Sequence, residues 1–158
     1  EIQDFKDASK LKLLAEVLSE IGEKQVIIWI QFHAEIAKIR EMLDGKCVVM
    51  AGTESQGDKE KAVEDFKAGK IQYMIAHPRT AGHGLTLVNA SYAVYYSMSY
   101  SLEEYIQSQD RIHRIGQKES VTYVHLAAEK SIDEVIYKAL QRKEAVSGAI
   151  LNMVKEAA

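Results

Sequence analysis

Cysteine is nearly absent from this chain, and its absence limits how the fold can be stabilised. The 158 residues include one cysteine, Cys47, so no disulfide bond can form within the chain. Cys47 leads directly into Val48 and Val49, and we expect it to be a small core hydrophobe rather than a reactive thiol. A chain of this length can bury enough apolar surface to fold as one domain without disulfides or metals.

Long apolar runs, a signal-like N-terminus and an excess of positive charge are also lacking. No apolar run approaches the roughly 20 residues that a membrane span requires, and the N-terminus has no basic region followed by an apolar core. We therefore expect a cytoplasmic protein with no membrane partner, and the start at Glu1 suggests a fragment of a longer chain. The formal net charge of −3 excludes a domain that coats nucleic acid by bulk charge, so any DNA contact requires a local patch.

Helical and strand-like segments alternate along the chain. Apolar runs rich in β-branched and aromatic residues predict buried strands, and apolar positions at helical spacing predict helices between them. The predicted strands cover 26–32, 48–51, 71–76, 93–96 and 121–126, and the helices cover about 11–21, 36–45, 62–69, 101–114 and 131–158. This alternation predicts an α/β fold of three layers, a mostly parallel sheet with helices on both faces.

Two capping boxes mark helix starts, at 101–104 and 131–134. In each, the serine is expected to accept from the amide three residues on, and the glutamate is expected to reach back. Ligands of open parallel sheets bind outside the carboxyl ends of the strands. The irregular segments 77–89 and 97–101 follow strand ends, so these are the places where we expect the functional site.

Two arginines at helical spacing are the strongest candidates for chemistry. Arg111 and Arg114 are three residues apart, so they share one face of a helix. Two guanidinium groups aimed at one point require an anion between them, and phosphate matches their geometry. Asp110 is placed to orient one of the pair. For an isolated Arg-x-x-Arg, a solvated helix face with a salt bridge is the alternative interpretation.

The segment that contains these arginines resembles a known motif. Residues 107–117 read Gln-Ser-Gln-Asp-Arg-Ile-His-Arg-Ile-Gly-Gln, similar to motif VI of the Swi/Snf branch of helicase superfamily two. The resemblance implies that the fold is the second RecA-like lobe of such an ATPase. It also implies that Arg111 and Arg114 are arginine fingers, that Gln107 lies near ATP, and that another lobe holds most of the nucleotide.

A glycine-containing segment precedes this helix. Residues 76–87 read Ala-His-Pro-Arg-Thr-Ala-Gly-His-Gly-Leu-Thr-Leu. Gly82 and Gly84 allow backbone amides to approach a phosphate closely, and Arg79 and Thr80 supply side-chain donors suited to a DNA backbone. A tight turn that needs glycine is the alternative interpretation of the two glycines.

The same segment resembles motif V of that family. The matching positions are Arg79, Gly82, Gly84 and Leu87, and the departures from the eukaryotic remodeller form are His77, Pro78, Ala81, His83 and Thr86. Its Ala-Gly-His-Gly-Leu stretch looks more like the bacterial and phage members. The resemblance implies ATP contacts at Gly82 and Gly84. The DNA contacts that it implies are at Arg79, Thr80, His83 and Thr86.

The phosphate cradle of an ATPase is lacking. Gly69 and Lys70 are followed by Ile71 rather than by serine or threonine, and no first glycine stands at P-loop spacing. Asp133 and Glu134 lie in a capping box rather than after an apolar strand, so they do not form a magnesium-binding pair. ATP and Mg²⁺ would therefore be bound mainly by an absent first lobe, and we expect the isolated chain to be inactive.

Three weaker features have structural explanations that we favour. Strand 27–32 resembles motif IV, in which Gln31 would contact nucleic acid or the other lobe, although a buried strand is the safer assignment. Three histidines lack zinc-site spacing: His77, His83 and His113. Four tyrosines suit core or lobe-interface packing better than base stacking: Tyr92, Tyr95, Tyr96 and Tyr100.

Together these resemblances predict one lobe over 1–158, with 131–158 as its C-terminal helix. The expected function is that of the second motor lobe of a DNA-dependent ATPase or translocase, with the N-terminal lobe and double-stranded DNA as partners. A location in the cytoplasm, with association to the nucleoid when on DNA, would follow. A non-catalytic RecA-like docking or nucleic-acid-binding module is the alternative function.

Overall fold

The described part of the chain holds five helices and five strands. The structure, a computed structural model, describes residues 2–80, 90–110, 121–127 and 133–143, with side chains from residue 9 onward. The elements are α1 (Ile2–Ile21), β1 (Val26–Trp29), α2 (Ala34–Met42), β2 (Cys47–Met50), α3 (Gln56–Lys67), β3 (Tyr73–Ala76), β4 (Tyr92–Tyr95), α4 (Leu102–Asp110), β5 (Thr122–His125) and α5 (133–143).

The strands form one sheet in the order β2-β3-β1-β4-β5, and every neighbouring pair is parallel. All four residues of β1, at the centre, are buried, as expected for a strand covered on both faces. The predicted strand over 26–32 is three residues too long. The amide of Gln31 donates to Ser97 Oγ at 2.7 Å, so the chain leaves the ladder there.

Helices cover both faces of the sheet, which confirms the three-layer prediction. On one face, α1 and α2 pack against alternate strand residues such as Ile28 and Val94. On the other face, α3 and α5 pack against the opposite set, such as Ile27 and Ala93. On the first face, the buried helix residues are Leu14, Leu18, Ile36 and Ile39. On the other face, they are Val63, Phe66, Ile136 and Leu140.

The ends of α3 show how local sequence sets an element. Ser55 Oγ accepts a hydrogen bond from the Asp58 amide at 3.1 Å, which satisfies one of the unpaired donors of the first turn. After the last turn, Gly69 takes a φ of 73°, a left-handed conformation that glycine adopts without strain.

The expected C-terminal helix is described in part. Residues 133–143 are helical, and the remainder of the predicted span, 131–132 and 144–158, lies outside the described residues. Among the described helices, none combines the length and the apolar character needed to cross a membrane.

Truncation of one core side chain tests the packing of α3. Phe66 is fully buried on the sheet, and a Phe→Ala change at such a site costs about 3–5 kcal/mol because a cavity remains. Phe66→Ala should therefore lower the free energy of unfolding by about that amount in urea titrations. The exposed neighbour Glu64 provides the control, and equal effects of Glu64→Ala and Phe66→Ala would contradict this packing.

Candidate functional site

Three segments meet at the C-terminal edge of the sheet: 31–35 after β1, 77–80 after β3, and 97–101 after β4. The parallel pairing brings these strand ends to one level. Ser97 joins two of the segments, because its hydroxyl accepts from the Gln31 amide at 2.7 Å and donates to Glu35 Oε2 at 2.5 Å. Burial raises the pKa of Glu35, and the bond from Ser97 opposes this shift.

His77 shapes the turn after β3. Its side chain is buried, with 6% of the residue exposed, and its ring stacks on that of His33 at 5.5 Å between centroids. Burial and the neighbouring His33 lower the pKa of His77, which favours the neutral ring. Its Nδ1 then accepts from the Arg79 amide at 3.2 Å, and its carbonyl accepts from the Thr80 amide at 3.0 Å. His77 is therefore a turn-forming residue.

Arg79 is held by a carboxylate of α4. Its Nε donates to Glu104 Oε1 at 2.5 Å, although 77% of the Arg79 side chain is exposed and only 11% of the Glu104 side chain is. Ser99 Oγ donates to the other carboxylate oxygen of Glu104 at 2.9 Å. Burial alone would raise the pKa of Glu104, but the bonds from Arg79 and Ser99 lower it below its ordinary value.

The predicted capping box at the start of α4 is only half formed. Ser101 Oγ accepts from the Glu104 amide at 3.3 Å, as expected. The reciprocal bond is absent, because the Ser101 amide donates to Ser99 Oγ at 3.2 Å and the Glu104 carboxylate faces Arg79. A charge-assisted bond to a guanidinium is stronger than one to a neutral amide, which explains why the Glu104 carboxylate bonds Arg79 rather than the Ser101 amide.

Aromatic groups anchor the other side of α4. Tyr105 Oη lies 2.9 Å from His125 Nε2 of β5, and the His125 ring stacks on Tyr95 of β4 at 4.8 Å between centroids. Tyr95 Oη lies 2.6 Å from Ser108 Oγ. Burial lowers the pKa of His125 from 6.5 to about 4, so its ring is neutral near pH 7. Tyr95 and Tyr96 are both buried, which confirms the core packing expected of these two tyrosines.

Three of the predicted site residues fall within the described residues. Arg79 lies on the surface beside α4, and Thr80 lies half-buried next to Gly52. Gln107 Nε2 donates to Glu103 Oε1 at 3.2 Å. The others lie outside the described residues: Gly82, His83, Gly84, Thr86, Arg111 and Arg114.

Metal binding is not supported within the described ranges. They hold no group of three or more His, Cys, Asp or Glu side chains arranged to bind a metal ion.

Glu104 is the site residue that sequence reasoning missed, because the capping-box pattern already explained a glutamate at that position. The signal that could have found its second role is Arg79, which the sequence already places after a strand end at the same sheet edge.

Comparison with known proteins identifies the family. Residues 9–116 match the family model of the helicase conserved C-terminal domain. The chain belongs to this family. The match covers β1 to β4, α4, the segment that resembles motif V, and residues 107–116 of the segment that resembles motif VI. A crystal structure of the C-terminal part of the Fun30 ATPase domain superposes with a TM-score of 0.73, at 23% identity, over 85% of this chain and 44% of that one, which shows the RecA-like fold.

Several curated relatives are eukaryotic ATPases. The ATP-dependent helicase FUN30 of Saccharomyces cerevisiae is 30% identical over 91% of this chain and 13% of its own length. The ATP-dependent helicase fft2 of Schizosaccharomyces pombe is 25% identical over 89% of this chain and 11% of its own. The nuclear protein STH1/NPS1 of S. cerevisiae is 27% identical over 96% of this chain and 12% of its own. The chain thus spans little more than a tenth of each of these relatives.

Two sequence-based expectations need correction. The expected cytoplasmic location is wrong: STH1/NPS1, which matches 96% of this chain, is a nuclear protein, and another relative is the ISWI chromatin-remodeling complex ATPase ISW1 of S. cerevisiae, 26% identical over 87% of this chain and 13% of its own length. A low cysteine content and the lack of a signal-like segment are compatible with any reducing compartment. These two features therefore could not distinguish the nucleus from the cytoplasm. The bacterial or phage-like form is likewise not supported by these eukaryotic relatives. It depended on five residues, 81–85, which are too few to place a lineage.

The burial of His125 predicts a pH dependence of stability. Its pKa lies near 4 in the folded chain against 6.5 ordinarily, so between these values the unfolded chain binds a proton that the folded chain does not. Stability should fall as the pH falls through this window. His125→Gln should make this loss shallower, as measured by urea unfolding near neutral pH and near the lower end of the window.

The exposed Thr122 on the same strand provides the control. Thr122→Ser should leave the pH dependence of the parent chain unchanged. A His125→Gln chain that lost stability as steeply as the parent between those pH values would show that His125 does not remain neutral in the folded state.

Proposed function

We propose that residues 1–158 form the second motor lobe of a Swi/Snf-type DNA-dependent ATPase or translocase, with 131–158 as its C-terminal helix. The observation that carries the proposal is the motif-VI-like string at 107–117, of which the family match over 9–116 covers all but the last residue. The names of the relatives, which include ATP-dependent helicases and a chromatin-remodeling complex ATPase, support it.

On the nucleotide side, Arg111 and Arg114 act as arginine fingers on ATP held by the first lobe. An arginine that reaches the γ-phosphate stabilises the negative charge that develops in the transition state. Gln107, Gly82 and Gly84 complete this lobe's contacts with ATP. The first lobe supplies the phosphate cradle and Mg²⁺, since this chain contains no P-loop sequence.

On the DNA side, four residues contact the duplex backbone: Arg79, Thr80, His83 and Thr86. The exposure of Arg79 at the sheet edge supports this role. A local patch of this kind is compatible with the net charge of −3, because phosphate contacts need only a few well-placed donors. Closure of the lobes around ATP would shift this patch along one strand, and reopening would complete a step of translocation.

A non-catalytic RecA-like module is the second candidate, and the net charge of −3 favours it. Two arginines on one helix face argue against it, because a docking scaffold has no need to converge two guanidinium groups. A P-loop and an Asp-Glu motif in the sequence before Glu1 would decide for the motor, and their absence would decide for the module.

Loss of one arginine tests the nucleotide side. In the full-length protein, Arg114→Ala should lower DNA-stimulated ATP turnover by about a thousandfold or more, the range measured for arginine fingers. The exposed Arg142 of α5 provides the control, and Arg142→Ala should turn over near the parent rate. Near-parent turnover of a folded Arg114→Ala protein would refute the assignment.

The salt dependence of binding tests the DNA side. Removing one phosphate contact reduces the slope of log K against log salt by about 1, so Arg79→Gln in the full-length protein should show this reduction in a DNA-binding titration. Arg40 provides the control, because it lies in the last turn of α2, away from the edge where α2 begins. Equal slopes for Arg79→Gln and the parent would mean that Arg79 does not contact phosphate.

A further inference from the structure

One ion pair joins two segments that the proposed function assigns to different ligands. Arg79 belongs to the segment proposed to contact DNA, and Glu104 belongs to α4, which leads into the segment proposed to contact ATP. We propose that Glu104 is a positioning residue that transmits changes between nucleotide and DNA by fixing Arg79 to α4. This inference rests on the proposed function and assigns to one carboxylate the link between its two halves.

Glu104 is held rigidly enough to fix its partner. Its amide donates to Ser101 Oγ at 3.3 Å, and one carboxylate oxygen accepts from Ser99 Oγ at 2.9 Å. The residue is 9% exposed, so few alternative rotamers are open to it. The remaining oxygen is directed at Arg79 Nε at 2.5 Å, and the direction of the guanidinium is therefore set by α4.

Arg79 is correspondingly held at two points that belong to different elements. Its amide donates to His77 Nδ1 in the turn after β3, whereas its side chain donates to Glu104 in α4. A displacement of α4 relative to β3 would therefore rotate or release the guanidinium while its backbone stays in place. With 77% of the side chain exposed, a phosphate can reach it without breaking the contact to Glu104.

Thermodynamic linkage makes this arrangement act in both directions. Suppose that ATP closes the first lobe onto α4 and thereby changes, through Arg79, the affinity for DNA by a given factor. DNA binding must then change the affinity for ATP by that same factor. Such coupling factors typically lie between about 5 and 150. A residue that only stabilised the fold would not change the ratio between the DNA affinity with nucleotide and the DNA affinity without it.

Two neighbouring contacts provide a control and a graded comparison. Tyr105→Phe removes the bond to His125 and so weakens the anchoring of α4 on its other side, while it leaves the ion pair between Arg79 and Glu104. Ser99→Ala removes a second donor to the same carboxylate but leaves the bond from Arg79. Tyr105→Phe thus tests whether damage to α4 is sufficient to change the coupling, and Ser99→Ala tests whether weaker positioning of Glu104 lowers it in part.

The experiment measures the affinity of the full-length protein for a DNA duplex with and without a non-hydrolysable ATP analogue. The parent protein should show a nucleotide-dependent ratio, which Glu104→Gln should reduce about fivefold or more, toward one. Tyr105→Phe should retain the parent ratio, whereas Ser99→Ala, which removes one of the bonds that hold the Glu104 carboxylate, should reduce the ratio by less than Glu104→Gln does. In an Arg79→Gln background, Glu104→Gln should cause no further change.

Each other outcome has a defined meaning. A parent ratio in folded Glu104→Gln, or an equal loss in Tyr105→Phe, overturns the inference and leaves the proposed function standing. A parent protein without any nucleotide effect on DNA affinity overturns both. Folding is checked by thermal unfolding. If Glu104→Gln does not fold, Glu104→Asp keeps the charge but shortens the reach to Arg79, and an unchanged ratio in that variant is equally contradictory.

Discussion

The parallel pairing of β1 with β3 and β4 determines where the segments 31–35, 77–80 and 97–101 lie. Trp29 is in register with Ala76 on one side and with Tyr95 on the other, so three strands end at one level. The segments that follow them must leave the sheet together, which brings His33 against His77 and Ser97 against Gln31. An antiparallel neighbour would have sent one of these segments to the opposite edge.

Helix α4 completes this edge, because it is bonded on two sides to different parts of the sheet. Glu104 ties it to the turn after β3, and Tyr105 ties it to β5 through His125. Adjacent residues of one helical turn thus contact the turn after β3 and the strand β5, and these two strands are three positions apart in the sheet order. For a motor lobe of the proposed kind, this places the nucleotide-facing helix and the DNA-facing turn within one connected set of hydrogen bonds.

The sequence was sufficient for the fold but not for the contacts of the site. Alternation of buried strands with helices at apolar spacing predicted the parallel sheet and its two helical layers, since these depend on local periodicity. The end of β1 at Trp29 and the half-formed capping box depended on Ser97 and Arg79, which are remote in sequence from the residues that they contact. The roles of Arg111 and Arg114 stay predictions from the motif resemblance.

We propose that this chain holds one half of an ATPase site, and ATP turnover by the isolated chain shows whether the other half is required. ATP hydrolysis should be measured for the purified 158-residue chain with Mg²⁺ and duplex DNA, beside the full-length protein. We expect no turnover above background for the chain alone and DNA-stimulated turnover for the full-length protein. Robust Mg²⁺-dependent hydrolysis by the isolated chain would contradict it.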